Sequence, residues 1–254
     1  MHTGEAVSLV ASARHTPTDL EAWAAFERVQ RLGGRVHRRR MSARARRAGE
    51  VIRAFAEGRR CFAGVSWGKD SVVLAHLVRV HAPDVPLVWV RLDPYDNPDC
   101  AAVRDLFLQR FPGPYHEVET EGPPLQDGHL PTGARRPGYA IAQARWGDHL
   151  SGVRGDESST RELRMRTHGL ISKHTSAPLG RWSAEDVFRY LIAHDLPIHP
   201  AYAMSRGGLL DFAQLRVASL GGTRGTGMGR REWEWAYYSD HMRALGIRRR
   251  AHHV

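Results

Sequence analysis

The feature that most constrains this chain is a change of texture at residue 61. Cys61–Val65 is an apolar run with no helical period, the pattern of a strand buried on both faces. A turn at Ser66-Trp67-Gly68 follows. From Asp70 to Val80 the spacing becomes helical, with Val73, Leu74, Leu77 and Val78 on one face. A strand that passes through a tight turn into a helix predicts a parallel α/β sheet, because parallel neighbours need a crossover. The alternation continues. Leu87–Leu92 predicts a second buried strand, Tyr115–Val118 a shorter third and Leu150–Val153 a fourth. Asn97 and Pro98 predict the N-cap and first residue of a helix running to about Arg110 on Val103, Leu106 and Phe107. Ala134–Ala144 also reads as helical. Ser183-Ala-Glu-Asp186 has the form of a capping box with Asp at its third position, opening a helix to about His194. Ligands of such sheets sit beyond the C-terminal ends of the strands, and Ser66–Ser71 falls at one of those ends.

The flanks read differently. Residues 15–60 are helical, with Leu20, Trp23, Phe26 and Val29 at helical spacing. Gly33-Gly34 breaks this stretch, and a second helix covers Met41–Glu57 before Gly58. After Pro197, Pro200 and Gly207-Gly208, regular structure stops. Leu220–Arg231 reads as a Gly-rich basic loop and Glu232–Leu245 as a final helix. The expected fold is therefore a mostly parallel α/β sheet with helices on both faces, plus helical N- and C-terminal extensions. The expected division is 1–58, 59–203 and 204–254.

Composition narrows the function. The net charge is +10, with 37 basic residues against 27 acidic, which favours an anionic partner. All but two of the basic residues, Lys69 and Lys173, are arginine. Arg35, Arg38, Arg39, Arg40, Arg44, Arg46 and Arg47 make the first helical junction strongly basic, as either a solvated helix face or a phosphate-contacting patch. Late in the chain Arg224, Arg230 and Arg231 stand near Trp233, Trp235, Tyr237 and Tyr238. Two cysteines without a CxxC pair argue against a disulfide framework or an iron–sulfur cluster held by this chain alone. The histidines show no ligand spacing. No apolar run approaches the roughly 18–20 residues needed to span a bilayer, and Ala6–Ala13 lacks a basic leader. The expectation is a soluble cytoplasmic protein without a membrane partner.

Ser66-Trp67-Gly68-Lys69-Asp70-Ser71 carries the first chemistry. A turn ending in a helix N-terminus aims backbone N–H groups at one point and favours a bound phosphate. Gly68 permits close approach, Ser66 and Ser71 add hydroxyls, and Lys69 adds charge. Asp70 fits either as a Mg²⁺ ligand or as a group that orients the turn's amides. The spacing is not that of a Walker A loop. A second cluster, Arg154, Asp156, Glu157, Ser158 and Arg161, follows the fourth strand. Its arginines can grip phosphate or sulfate, with Asp156 or Glu157 assisting a metal or orienting them. Cys100, near a helix N-terminus, reads as either a low-pKa nucleophile such as a persulfide carrier or a small packed residue.

The SxGKDS unit between a strand and a helix resembles the PP-loop of the adenine nucleotide α-hydrolase-like superfamily. Two further segments make the resemblance closer, to the phosphoadenosine-phosphosulfate reductase family. Ser151-Gly-Val-Arg-Gly-Asp-Glu-Ser-Ser-Thr-Arg161 resembles its G-x-R-x-D-E-S-x-x-R segment. Pro178-Leu-Gly-Arg-Trp-Ser-Ala-Glu-Asp-Val187, continued by Leu196-Pro-Ile-His-Pro-Ala-Tyr202, resembles its third segment. Together they cover about residues 59–203. The resemblance implies that the α/β sheet is Rossmann-like and that the chain is an ATP pyrophosphatase that adenylylates an acceptor and releases pyrophosphate, with ATP and Mg²⁺ as cofactors. It places Ser66, Trp67, Gly68, Lys69, Asp70, Ser71, Arg154, Ser158 and Arg161 around the nucleotide. Lys69, Asp70, Arg154, Asp156 and Glu157 become the catalytic candidates, and Asp70 the metal ligand. The implied partners are an adenine nucleotide, a nucleic-acid or small-molecule acceptor, and a sulfur-donor protein. Arg181-Trp182 and Asp186-Val187 are expected to dock the late helix.

Two departures qualify this. The family's reductases resemble one another in a C-terminal E-C-G-x-H cysteine, and this sequence has no cysteine after Cys100. Members that use ATP usually show SGGKDS, where this chain has Trp67, whose ring either stacks on a base or packs against the helix. The alternatives are a phosphoadenosine-phosphosulfate reductase-like enzyme relying on an external thiol, and a nucleic-acid-binding protein with a structural nucleotide.

Overall fold

A computed structural model describes residues 9–32, 35–217, 219–221 and 230–247. Five strands form one parallel sheet: β1 (Cys61–Val65), β2 (Leu87–Asp93), β3 (Tyr115–Glu121), β4 (Asp148–Leu150) and β5 (Thr175–Ser176), in the order β3-β2-β1-β4-β5. Side chains of a strand alternate between faces, and the two central strands use both. Cys61, Ala63 and Val65 of β1, with Leu87 and Trp89 of β2, enter the larger core. Phe62, Val88 and Val90 point the other way and join Val118 and Ala142. The second face is covered by α5 (Arg136–Trp146); the first by α2 (Arg35–Ala56), α3 (Lys69–His81), α4 (Cys100–Arg110) and α7 (Ala184–Ala193). The fold is the expected Rossmann-like α/β sheet with helices on both faces.

Several boundaries differ from the sequence reading. β3 continues three residues past Val118, because all seven of its residues pair with β2 and its edge position leaves Glu119 and Glu121 exposed. β4 ends at Leu150, where a strand was expected to begin, since its register is set by pairing with Cys61–Ala63. β5 and the polar helix α6 (Ser159–His168) carry no apolar pattern that would announce them. α4 starts at Cys100; Asn97 instead braces the turn before it, accepting from the Asp99 N–H at 3.0 Å. The capping box of α7 is formed by Ser183 and Asp186. The final helix is two, α8 (Arg230–Tyr237) and α9 (Ser239–Ala244), interrupted at Tyr238, whose hydroxyl donates to Asp99 at 2.9 Å. α1 spans Pro17–Arg31. Gly33-Gly34, Arg224, most of the expected basic loop and the start of Ala6–Ala13 lie outside the described residues. Among the described residues no helix is long and apolar enough to cross a membrane.

The flanking segments share the main core with the sheet: Trp23, Ile52, Phe55, Leu215, Trp233 and Met242 belong to the same buried cluster as Val72 and Leu87. One buried carboxylate joins them. Asp19 of α1 accepts from the Ser205 N–H at 3.1 Å, the Gly207 N–H at 2.9 Å and the Tyr237 hydroxyl at 3.0 Å. Burial works to raise its pKa, but the hydrogen bonds from Gly207, Thr16 and Tyr237 hold it below the usual carboxylate value.

Candidate active site at the sheet's switch point

The strand order fixes where a site belongs. From β1 the chain crosses to β2 on one side, and from β3 it returns to β4 on the other. The loops after β1 and β4 therefore flank the crevice at which winding direction reverses, the usual ligand position in open α/β sheets. These loops carry the two sequence clusters.

The β1 loop is short and braced from within. The Ser71 hydroxyl donates to the Gly68 carbonyl at 3.0 Å and accepts from the Ser66 N–H at 3.1 Å. Gly68 is the N-cap of α3 and supplies no side chain there. Ser66 is exposed. Trp67 has φ +60°, a left-handed conformation that suits glycine. Its side chain is fully buried, packed against Phe107 of α4 and Tyr115 of β3 at ring centroid distances of 5.7 and 5.8 Å. The indole thus packs in the core and is not available to stack on a base.

Lys69 and Asp70 pair with each other at the start of α3. The Lys69 side chain is 2% exposed, its ammonium 3.5 Å from Asp70, 3.4 Å from the Leu215 carbonyl and 5.0 Å from the Tyr202 ring centroid. Burial lowers its pKa, opposed by the neighbouring Asp70 and reinforced by Arg154. Asp70 also accepts from Arg154 Nε at 2.6 Å, across the crevice.

Arg154 is the hub of the β4 loop. It is 3% exposed, and its guanidinium pairs with Asp70 and Asp156 and lies 4.0 Å from Glu157. Burial disfavours its charge, yet Asp70, Asp156 and Glu157 together raise its pKa. Asp156 also accepts from the Ala184 N–H at 3.0 Å, docking the start of α7. Glu157 pairs with Arg161, and Ser158 caps α6 by accepting from the Arg161 N–H at 3.3 Å. Gly152 explains how the loops meet: a Cβ there would lie 3.1 Å from the Asp70 carbonyl carbon. Of the predicted residues, Asp70, Lys69, Arg154, Asp156 and Glu157 form one ionic network. Ser158 and Arg161 stand at its outer edge.

Sequence reasoning passed over the residues that close the loop from above. The buried Tyr202 hydroxyl accepts from the Lys69 backbone N–H at 3.0 Å, taking the place of the missing N-cap side chain. It lies 3.2 Å from where a Gly68 Cβ would stand, with Val217 at 3.5 Å. The tyrosine in the third sequence segment was the available signal.

Cys100 takes the packed alternative. Its Sγ is 3.5 Å from the Ser66 carbonyl and 3.7 Å from His199 Nε2. Burial, aided by Asp96 and Asp99, pushes the thiol well up despite Arg135, and burial pushes His199 down to about 3. The pair is a neutral thiol and a neutral imidazole, the reverse of an activated nucleophile. Among the described residues no three His, Cys, Asp or Glu side chains are grouped to hold a metal.

No protein-family model matches the chain. Among curated proteins it is similar to the phosphoadenosine 5'-phosphosulfate reductase of Xylella fastidiosa strain 9a5c, with 24% identity over 177 residues, 61% of this chain and 73% of that protein. The protein of the same name from Shewanella oneidensis is 34% identical over 86 residues, 33% of this chain and 34% of its own length. The similarity in sequence is thus to proteins named phosphoadenosine 5'-phosphosulfate reductase. A solved phosphoadenylyl-sulfate reductase from Candida auris, in a phosphate complex, aligns at 15% identity and TM-score 0.49 over 69% of this chain and 89% of that one. The chain has two cysteines. Cys61 starts β1, roughly 13 Å of strand away from the loop, and Cys100 is buried beside it.

Proposed function

We propose that this protein binds ATP at the switch point and adenylylates an acceptor with release of pyrophosphate. The observation that carries the reading is the meeting of the two loops there, with Asp70 and Arg154 2.6 Å apart across the crevice. An acceptor nucleophile would attack the α-phosphorus, the bond from that phosphorus to the α–β bridging oxygen would break, and pyrophosphate would leave. Negative charge then grows on the leaving oxygens, and fixed cations aimed at it lower the barrier. Lys69 and Arg154 are those cations. Before ligand binds, their charge is balanced chiefly by Asp70, Asp156 and Glu157. A polyphosphate entering the crevice competes with Asp70 for them.

That exchange also bears on Mg²⁺. Asp70 offers one carboxylate, which suits an ion that takes one or two protein carboxylates and its other ligands from phosphate and water. Mg²⁺ would supply charge neutralisation of the polyphosphate. Ser66 and the Ser71-braced turn would line the phosphates, with Ser158 and Arg161 further out. The reductase reading, with phosphoadenosine phosphosulfate as ligand and an external thiol, rests on the relatives' name; the buried Cys100 gives it no thiolate within this chain.

Calorimetric titration with ATP and with phosphoadenosine phosphosulfate tests the choice. ATP is expected to bind the wild type, and Asp70→Asn, which keeps the side chain's shape, is expected to bind ATP while pyrophosphate release falls by about 100-fold or more. Selective binding of the phosphosulfate nucleotide, or full turnover by a folded Asp70→Asn protein, would refute it.

A further inference from the structure

The β1 loop is roofed by a later segment of the same chain. Gly68, Lys69 and Ser71 are all buried, although the loop ends at the crevice. The cover is the irregular segment Leu215–Val217. Leu215 offers its carbonyl to the Lys69 ammonium at 3.4 Å. The Val217 Cβ lies 3.5 Å from where a Cβ of Gly68 would stand, a van der Waals contact that leaves no room for a phosphoryl group between them. The Tyr202 hydroxyl, which accepts from the Lys69 N–H, also accepts from the Val217 N–H.

The segment is pinned on its far side as well. Arg230 of α8 donates to the Arg216 carbonyl at 2.7 Å. Arg135 donates to the Ser219 hydroxyl at 2.7 Å, and the Leu220 N–H to the Tyr95 carbonyl at 2.7 Å, in the turn after β2. The described part of this stretch therefore reaches from the β1 loop to the β2 loop, across the ends of two strands. Leu215 and Leu220 root it in the core, whereas Arg216 is exposed and Val217 half-buried.

Two of these pins join a cation to a neutral oxygen. The Lys69 ammonium, almost fully buried, has the Leu215 carbonyl and a carboxylate 3.5 Å away that is shared with Arg154. Arg230 uses Nη1 on the Arg216 carbonyl and keeps Nη2 buried without a hydrogen-bond partner among the described residues. A phosphate oxygen carries full charge where a carbonyl carries only a dipole, so it is the stronger partner for a buried ammonium.

We propose that Leu215–Val217 is an autoinhibitory strap: the Leu215 carbonyl occupies the place of a phosphate oxygen at Lys69, and the strap must lift off Gly68 before a polyphosphate can bind. This rests on the reading of the β1 loop as the nucleotide's phosphate site. The apparent affinity is then the intrinsic one reduced by the fraction of molecules whose strap is lifted. Loosening the strap at residues outside the phosphate loop raises that fraction and tightens binding. Loss of an ordinary binding contact does the opposite.

The test pairs calorimetric titration with amide hydrogen exchange, in wild type, Val217→Gly and Ser219→Ala. The probes are inorganic pyrophosphate, ATP with Mg²⁺, and phosphoadenosine phosphosulfate. On saturation the Val217 amide is expected to exchange faster, while the amides of residues 66–71 slow. Both variants are expected to bind the same ligand roughly 3- to 10-fold tighter than wild type. Ser219→Ala removes a single hydroxyl, and it carries the test if Val217→Gly does not fold. A ligand that binds while the Val217 amide exchanges no faster, or folded variants that bind no tighter, overturns the strap and leaves the adenylylation reading standing. Faster Val217 exchange with phosphoadenosine phosphosulfate, and no binding of ATP, removes the adenylylation reading and leaves the strap. A chain that binds none of the three in any variant overturns both.

Discussion

Trp67 sets two effects of similar size against each other, and magnitudes decide between them. Its backbone sits at φ +60°, which costs a non-glycine residue about 1–2 kcal/mol. Glycine would relieve that strain. Replacement also empties a fully buried site between Phe107 and Tyr115, and truncating a buried Trp costs about 3–5 kcal/mol. Glycine adds roughly 0.5–1 kcal/mol of unfolded-state entropy relative to alanine. The balance for Trp67→Gly is a loss of about 3 kcal/mol, or a fall in Tm of roughly 6–12 °C for a chain of this length. Trp67→Ala loses the indole but keeps most of the strain, so it should be no more stable than the glycine variant, and less stable by up to about 1 kcal/mol. Far-ultraviolet circular dichroism during thermal and urea unfolding reads both. A Trp67→Gly protein as stable as wild type would show that backbone strain outweighs packing and would refute the structural role given to the indole.

Two further outcomes follow from buried titratable groups. His76 is held neutral beneath α7, with Nδ1 2.9 Å from the Tyr190 hydroxyl, and burial lowers its pKa from 6.5 to about 4. The unfolded chain therefore takes up this proton first as pH falls. Stability should drop by about 3 kcal/mol between pH 6.5 and 4 on this account, and urea midpoints for His76→Gln should flatten in that window; an unchanged slope contradicts it. The folded-state pKa of Asp19 is depressed, so its contribution is present above the usual carboxylate range and lost as pH falls through its folded value. Asp19→Ala strands the donors at Ser205, Gly207 and Tyr237 and should cost about 3 kcal/mol or more at pH 7 by chemical denaturation; a loss below 1 kcal/mol would remove the carboxylate's linking role.

What the sequence disclosed follows from how local its causes are. β1, the turn and α3 are contiguous, and an apolar run, a small-residue turn and a helical stripe suffice to announce them. The second and third segments were legible as patterns, but not in their geometry. That Arg154 points inward to meet Asp70, 84 residues away, depends on Gly152 letting the loops touch. Tyr202 caps the loop from 133 positions downstream, a contact no periodicity encodes. β5 has two residues whose strand character comes wholly from pairing with His149 and Leu150. Trp67, in a glycine-like position, reads from sequence as either stacking on a base or packing against the helix; only the fold shows the cavity that Phe107 and Tyr115 provide for it. Cys100 had the placement of a reactive thiol, and burial beside a neutral His199 reverses that chemistry.

The central claim is that the bond broken lies between the α- and β-phosphates of ATP. The direct measurement is to incubate the protein with ATP labelled separately at the α- and γ-phosphorus, with Mg²⁺ and, in separate reactions, nucleic-acid and small-molecule acceptors, and to separate the products. The account predicts γ-label released only as pyrophosphate and α-label retained on an adenylylated acceptor or as AMP, with both signals lost in Asp70→Asn. Release of γ-label as orthophosphate, or consumption of phosphoadenosine phosphosulfate with ATP untouched, would contradict it.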